Sequence, residues 1–155
     1  MDKDETMNTN DDHVEALRRN RSFVIRQARM SPHQRAAFDR LYPRFGLPLS
    51  DREISWENAF GRADAPRVLD IGFGMGLELV ELAERTPGTD FLGVEVHKPG
   101  VGKLLGQVEA RGIENVRVVR GDAVLVCHRM IPRGTLDGIH LFFPAPWPKK
   151  RHHKR

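Results

Sequence analysis

The chain has 155 residues, enough for one domain with a buried core. Its 39% hydrophobic and 30% charged content excludes a membrane-spanning or disordered chain and predicts a soluble globular protein. The net charge is +4, and the single cysteine and the acidic, polar N-terminus exclude an internal disulfide and a secretory signal, so we expect a cytoplasmic location.

Charge is distributed unevenly along the chain. Residues 1–20 are polar and mostly acidic at the start, and are predicted to be a disordered tail. Residues 21–60 are predicted to form a basic N-terminal arm and lead-in, because eight arginines and one acid fall between residues 18 and 44. The last seven residues, KKRHHKR, add five cations and two histidines. Two basic blocks favour a polyanionic partner, although each block alone is also typical of a solvated surface.

The first predicted helix begins after Ser31. Ser31 is a good N-cap, proline follows it, and Gln34 completes a capping-box spacing. Pro43 and Gly46 are expected to end this helix. A weak helix is predicted over residues 52–60, in the segment that leads into the main domain.

From residue 61 onward the pattern alternates between strands and helices. Apolar strands are predicted at 68–72, 90–96, 116–122 and 136–143. The first intervening helix is expected to bury Met75, Leu79, Leu82 and Ala83 along one side. Such alternation predicts an α/β, Rossmann-like domain over residues 61–155, with a parallel sheet covered on both faces. The ligand of such a sheet lies across the carboxyl ends of its strands.

A glycine-rich turn, DIGFGMG, follows the first of these strands. Gly72, Gly74 and Gly76 permit positive φ and close approach of a ligand to the backbone. A dinucleotide fingerprint would place its third glycine at position 77, which is leucine here. The spacing therefore favours a cofactor that lacks a pyrophosphate, and the alternative is a purely structural turn.

Acidic residues end three successive strands. Glu95 is placed to accept hydrogen bonds from ribose hydroxyls, and Asp122 either contacts an adenine amino group, caps the next helix, or does both. Asp70 sits in an apolar strand, where a buried carboxylate is costly unless a cation lies nearby. Three acids around a glycine turn predict a positively charged nucleoside cofactor.

Four motifs carry a family resemblance: VLDIGFGMGLELVELA, FLGVEVHKPGVG, GDAV and LFFPAPWPKKRHHKR. Over residues 21–155 the sequence resembles the bacterial tRNA (guanine-N7)-methyltransferases. The resemblance implies a class I methyltransferase fold and S-adenosylmethionine as the cofactor, contacted by the three strand-end acids. It implies that Lys149 contacts the substrate. It also implies that the following residues contact tRNA: Lys150, Arg151, His152, His153, Lys154 and Arg155.

Two departures from the family pattern bear on activity. Ala145 stands where the family has a catalytic aspartate, and the family's sequence continues beyond the point where this chain stops. We therefore expect only the first half of the sheet, about four strands, with strand 136–143 at an open edge. The guanine N7 atom is an unprotonated acceptor, so its methylation needs no general base, and loss of the aspartate is expected to slow the reaction.

The functional expectation is methyl transfer from S-adenosylmethionine to guanine N7 in tRNA. A catalytically impaired RNA-binding remnant and a small-molecule methyltransferase are the alternatives. Trp147 is expected either to stack on the target base or to anchor its own loop. No metal is expected, because the two histidines of the basic end lack further ligands at metal-binding spacing.

Overall fold

A computed structural model of the protein describes residues 29–141. The helices are α1 (Pro32–Phe45), α2 (Trp56–Phe60), α3 (Leu77–Arg85), α4 (Lys98–Ala110) and α5 (Ala123–Arg129). The strands are β1 (Gly46–Leu47), β2 (Arg67–Ile71), β3 (Asp90–Glu95), β4 (Val116–Arg120) and β5 (Gly138–Leu141). Strands and helices alternate strictly from β2 onward, as the sequence predicts.

The five strands form one parallel sheet in the order β1-β4-β3-β2-β5. The chain moves outward from β2 through β3 to β4 and then returns to the other side of β2 to form β5. This reversal between β2 and β5 is the topological switch point of a Rossmann-like sheet, and ligands of such sheets bind outside the carboxyl ends of the strands at that point. The predicted fold class is confirmed.

Two apolar layers cover the two faces of the sheet. One layer joins α1, α3 and α4 to inward-facing residues such as Phe91 and Val118. The other joins α2 and α5 to Leu92, Val94 and Val119. Neighbouring residues of β3 and β4 thus point to opposite layers, as the two-residue period of a strand requires. Burial on both faces explains why these strands read as continuous apolar runs.

The structure corrects three details of the first half of the chain. Strand β1 was not predicted, and it adds a fifth strand beside β4. Helix α1 was predicted to end at Pro43 but continues to Phe45. Phe45 is 2% exposed, and the free energy gained by burying its ring offsets the loss of the one backbone hydrogen bond that proline cannot make. Met75 lies outside α3 and is 48% exposed, since Gly76 adopts a left-handed conformation and makes Leu77 the first helical residue.

From β2 onward, most of the observed ends of helices and strands lie within two residues of the predicted ends. Helix α5 ends at Arg129, β4 ends at Arg120, and β5 begins at Gly138. Within residues 29–141, β5 pairs only with β2 and exposes Ile139 (60%) and Leu141 (57%). None of the helices among these residues is both long and apolar enough to cross a membrane.

Candidate functional site

The glycine turn between β2 and α3 has the backbone that the sequence predicts. Gly72, Gly74 and Gly76 have φ values of 71°, 62° and 81°. A Cβ atom at Gly72 or Gly74 would meet no other atom within 4 Å, so the outer side of the turn is open. The turn therefore combines a conformation that favours glycine with room for a ligand against its backbone.

Gly100 holds this turn in place from the neighbouring helix. A Cβ atom at Gly100 would collide with the carbonyl oxygen of Gly74, so the start of α4 packs directly against the turn. A Cβ atom at Gly76 would likewise overlap the side chain of Leu104. The role of Gly100 was not predicted from the sequence, although the PGVG segment that starts α4 carries the signal of a close backbone approach.

Glu95 connects the end of β3 to the glycine turn. Its Oε2 atom accepts a hydrogen bond of 2.8 Å from the backbone N–H of Gly74. Its Oε1 atom accepts from the N–H groups of Val96 and His97 at 2.9 and 3.1 Å. A carboxylate has about four lone-pair positions, so one acceptor position remains for a ligand hydroxyl. Glu95 is thus both a brace for the turn and a candidate ligand contact.

Backbone hydrogen bonds bring the three strand ends together. The N–H of Gly72 donates to the carbonyl of Val94 at 2.8 Å, and the N–H of Gly121 donates to the carbonyl of Glu95 at 3.2 Å. Asp122, which follows Gly121, is 8% exposed and caps α5 by accepting from the N–H of Val124 at 2.8 Å. The capping role of Asp122 is confirmed, and an adenine contact stays a prediction.

Asp70 is the most buried acid at this edge of the sheet. Its side chain is 4% exposed, and burial raises the pKa of its carboxyl from 3.8 to about 6. His140 of β5 lowers this pKa in part, and its Nδ1 atom lies 3.8 Å from Oδ2 of Asp70. Glu78 of α3 raises the pKa further. A costly buried carboxylate was predicted here from the sequence, whereas the neighbouring His140 was not.

The carboxyl edge also carries exposed apolar residues. Met75 and Leu77 are 48% and 56% exposed, and they flank Gly76 at the start of α3. Apolar side chains beside a backbone turn offer a surface for the flat face of a base. Together the turn, the acids and these side chains form an open, acidic site with apolar borders.

A recess of about 430 Å³ lies at the opposite, amino-terminal edge of the sheet. Its wall includes Asp90, at the start of β3, and the ion pairs Arg62–Asp90 at 2.6 Å and Arg111–Glu84 at 2.9 Å. The first pair ties the loop after α2 to β3, and the second ties the end of α4 to α3. The residues that line the recess do not include the glycine turn. Among residues 29–141, no group of three or more metal-ligating side chains occurs.

Several predicted site residues lie outside the part of the chain that the structure describes. These are Ala145, Trp147, Lys149, Lys150, Arg151, His152, His153, Lys154 and Arg155. Strand β5 is described as far as Leu141, which pairs in register with Ile71 directly before the glycine turn. The roles of the basic end and of Trp147 therefore stay predictions from the sequence.

Comparison with known proteins gives matches along most of the chain. A family model described as "Putative methyltransferase" matches residues 64–155. The chain is 58% identical over 138 residues to the tRNA (guanine-N(7)-)-methyltransferase of Ralstonia nicotianae, covering 89% of this chain and 55% of that protein. It is 53% identical over 139 residues to the protein of the same name from Burkholderia thailandensis, covering 90% and 52%. The chain thus spans about half the length of the curated relatives it matches.

Among solved structures, PKMT2 from Rickettsia typhi in complex with AdoHcy matches with 28% identity and a TM-score of 0.40. That match covers 48% of this chain and 14% of that protein, so no functional inference is based on it.

Proposed function

This chain belongs to the family described as "Putative methyltransferase", and we propose that it supplies the cofactor-binding part of a tRNA (guanine-N7)-methyltransferase. The single observation that carries the proposal is the 53–58% identity to proteins of that name over about nine-tenths of the chain. That identity also confirms the family resemblance inferred from the motifs. Because the chain spans about half of those relatives, the activity and the substrate belong to the proposal.

We propose that the site at the carboxyl edge takes S-adenosylmethionine, and the described residues fit that group. The open side of Gly72 and Gly74 leaves room for a ligand along the backbone. The raised pKa of Asp70, about 6, reflects a buried carboxylate whose burial a cationic ligand would offset. Glu95 keeps an acceptor position for a ribose hydroxyl, and Asp122 lies at the adjacent strand end.

When bound, S-adenosylmethionine supplies an electrophilic methyl group, and guanine N7 accepts it without first losing a proton. The chain's own contribution is then positioning and electrostatics rather than general-base catalysis. Gly100 and Glu95 fix the glycine turn, and the acids of the strand ends maintain a negative field. Ala145 lacks the carboxylate that the family resemblance implies at this position, so we expect slow turnover.

The basic segments fit a tRNA partner by their charge. Residues 21–60 and Lys150–Arg155 supply cations suited to phosphates, and Lys149 and Trp147 are proposed to contact the target guanine. A cytoplasmic location follows from this substrate. A catalytically impaired RNA-binding protein is the second candidate, and Ala145 is the residue that favours it.

The test is methyl incorporation into unmodified tRNA transcripts, followed by analysis of the nucleosides. We expect 7-methylguanosine as the only methylated product, at a low rate that Ala145→Asp increases. Glu95→Ala serves as the matched variant with a damaged cofactor site. Binding of tRNA without any methyl transfer, both in the wild type and in Ala145→Asp, would favour the second candidate. A different methylated nucleoside would contradict the assigned target atom.

A further inference from the structure

His140 occupies a defined position at the switch point of the sheet. In the parallel register of β2 and β5, Asp70 pairs with His140, and the neighbouring pairs are Leu69 with Ile139 and Ile71 with Leu141. Residues paired across parallel strands point to the same face. The imidazole therefore lies on the same side of the sheet as the Asp70 carboxylate. Asp70 itself is followed by Ile71, the last residue of β2, and then by Gly72, where the glycine turn begins.

The two side chains lie close together and are largely shielded from solvent. The Asp70 and His140 side chains are 4% and 29% exposed, and Nδ1 lies 3.8 Å from Oδ2. On the other side of Asp70, β3 places Gly93 in register and contributes no side chain. The charged groups that act on Asp70 are His140 from β5, which favours the carboxylate, and Glu78 from α3, which opposes it. The ionisation of Asp70 thus depends on two neighbours of opposite effect.

We propose that His140 is a positioning residue for the cofactor: it favours the ionised form of the Asp70 carboxylate, two residues before Gly72, where that charge attracts the cofactor's ammonium group. This inference rests on the proposed cofactor site and assigns a role to a residue that does not itself contact the reacting atoms. The pKa of the Asp70 carboxyl is about 6, so a neighbouring group changes its ionised fraction most strongly near that pH. Removing the imidazole should raise the pH at which Asp70 ionises.

The experiment follows Asp70 directly and then measures ligand binding. The Asp70 carboxyl resonance, identified by its loss in Asp70→Asn, is titrated by carbon-13 NMR in the wild type and in His140→Asn. The midpoint should rise in His140→Asn and fall in Glu78→Gln, because these substitutions remove neighbours of opposite effect. His140→Gln provides a second neutral replacement, and His128→Asn, at an exposed histidine of α5, is the matched control that should leave the midpoint unchanged.

Binding of S-adenosylhomocysteine, which retains the ammonium group, is then measured by calorimetry from pH 5.5 to 8.5. Removal of the imidazole should weaken binding severalfold near pH 6, where Asp70 is partly ionised, and leave it unchanged near pH 8.5, where Asp70 is ionised in both proteins. A purely structural role for His140 would weaken binding equally at all pH values.

The outcomes separate this inference from the proposed function. An unchanged Asp70 midpoint in both His140 variants, or a binding loss that does not depend on pH, overturns the role of His140. A shifted midpoint in a wild-type protein that binds no S-adenosylhomocysteine would support the charge coupling and contradict the proposed cofactor site. A shifted midpoint together with a pH-dependent loss of binding supports both.

Discussion

Replacing Glu95 with alanine should weaken cofactor binding through two separate losses. The substitution removes the acceptor of the Gly74 N–H at 2.8 Å, and it removes the acceptor position left for a ribose hydroxyl. Hydrogen bonds to a charged group contribute about 1.5–3 kcal/mol each, and the Gly74 bond is exposed to water, which lowers its share. We take 1.5–3 kcal/mol as the combined loss, or about a 10- to 150-fold rise in Kd.

Calorimetry with S-adenosylhomocysteine at pH 7.5 measures this loss. Glu95→Gln separates the two contributions, because its amide oxygen can replace one acceptor but supplies no charge. Glu53→Ala, at an exposed glutamate before α2, is the matched control and should leave the Kd unchanged. Thermal unfolding must show that each variant is folded. A folded Glu95→Ala protein with wild-type affinity would refute the role of this carboxylate.

Three further predictions address the turn, the buried acid and the basic end. Gly100→Ala should cost about 1–3 kcal/mol in urea unfolding, because its Cβ would displace the glycine turn, whereas Gly106→Ala in the same helix has room and should be neutral or stabilising. Because the folded-state pKa of Asp70 is raised from 3.8 to about 6, the folded protein binds more protons between these values, so stability should fall by on the order of 2–3 kcal/mol as the pH rises through this window. Asp70→Asn should abolish that fall, and a similar slope in both proteins would contradict the assignment. Finally, tRNA affinity should decrease steeply with salt, and the slope should flatten by up to about 0.9 per lost phosphate contact when the basic end is neutralised. The substitutions are Lys150→Ala, Arg151→Ala, Lys154→Ala and Arg155→Ala, and an unchanged slope would show that this segment does not bind phosphates.

Local signals in the sequence were sufficient for most of the fold. Ser31 caps α1 with the predicted capping box because that motif depends only on residues three positions apart. The prediction that Pro43 ends α1 was wrong, because tertiary packing of the helix outweighed the local tendency of proline to break it. Strand β1 has two residues, and its pairing with β4 joins segments about 70 residues apart, so no periodicity could reveal it.

The glycine turn begins directly after β2, and each acid lies within two residues of the carboxyl end of its strand, so both could be predicted from the apolar runs. His140 could not, because its role depends on the β2–β5 register and on the parallel order of strands distant in the sequence. The same limit applies to Gly100, whose contact with Gly74 joins a helix start to a turn 26 residues earlier. Residues at strand ends were thus predictable from the sequence, whereas residues that act on them from neighbouring elements were not.

The distribution of charge accommodates two proposed ligands of opposite sign. A cationic cofactor needs a negative field within a few ångströms, whereas tRNA phosphates are repelled by the same field. Asp70 is buried at the end of β2, two residues before Gly72, so its charge acts over a short distance on a ligand at the glycine turn. At physiological ionic strength, exposed charges are screened beyond about 8 Å, whereas buried charges are screened much less. The modest net charge of +4 therefore combines an acidic cofactor site with basic flanking segments, and the pairing of Asp70 with His140 limits the cost of burying the acid.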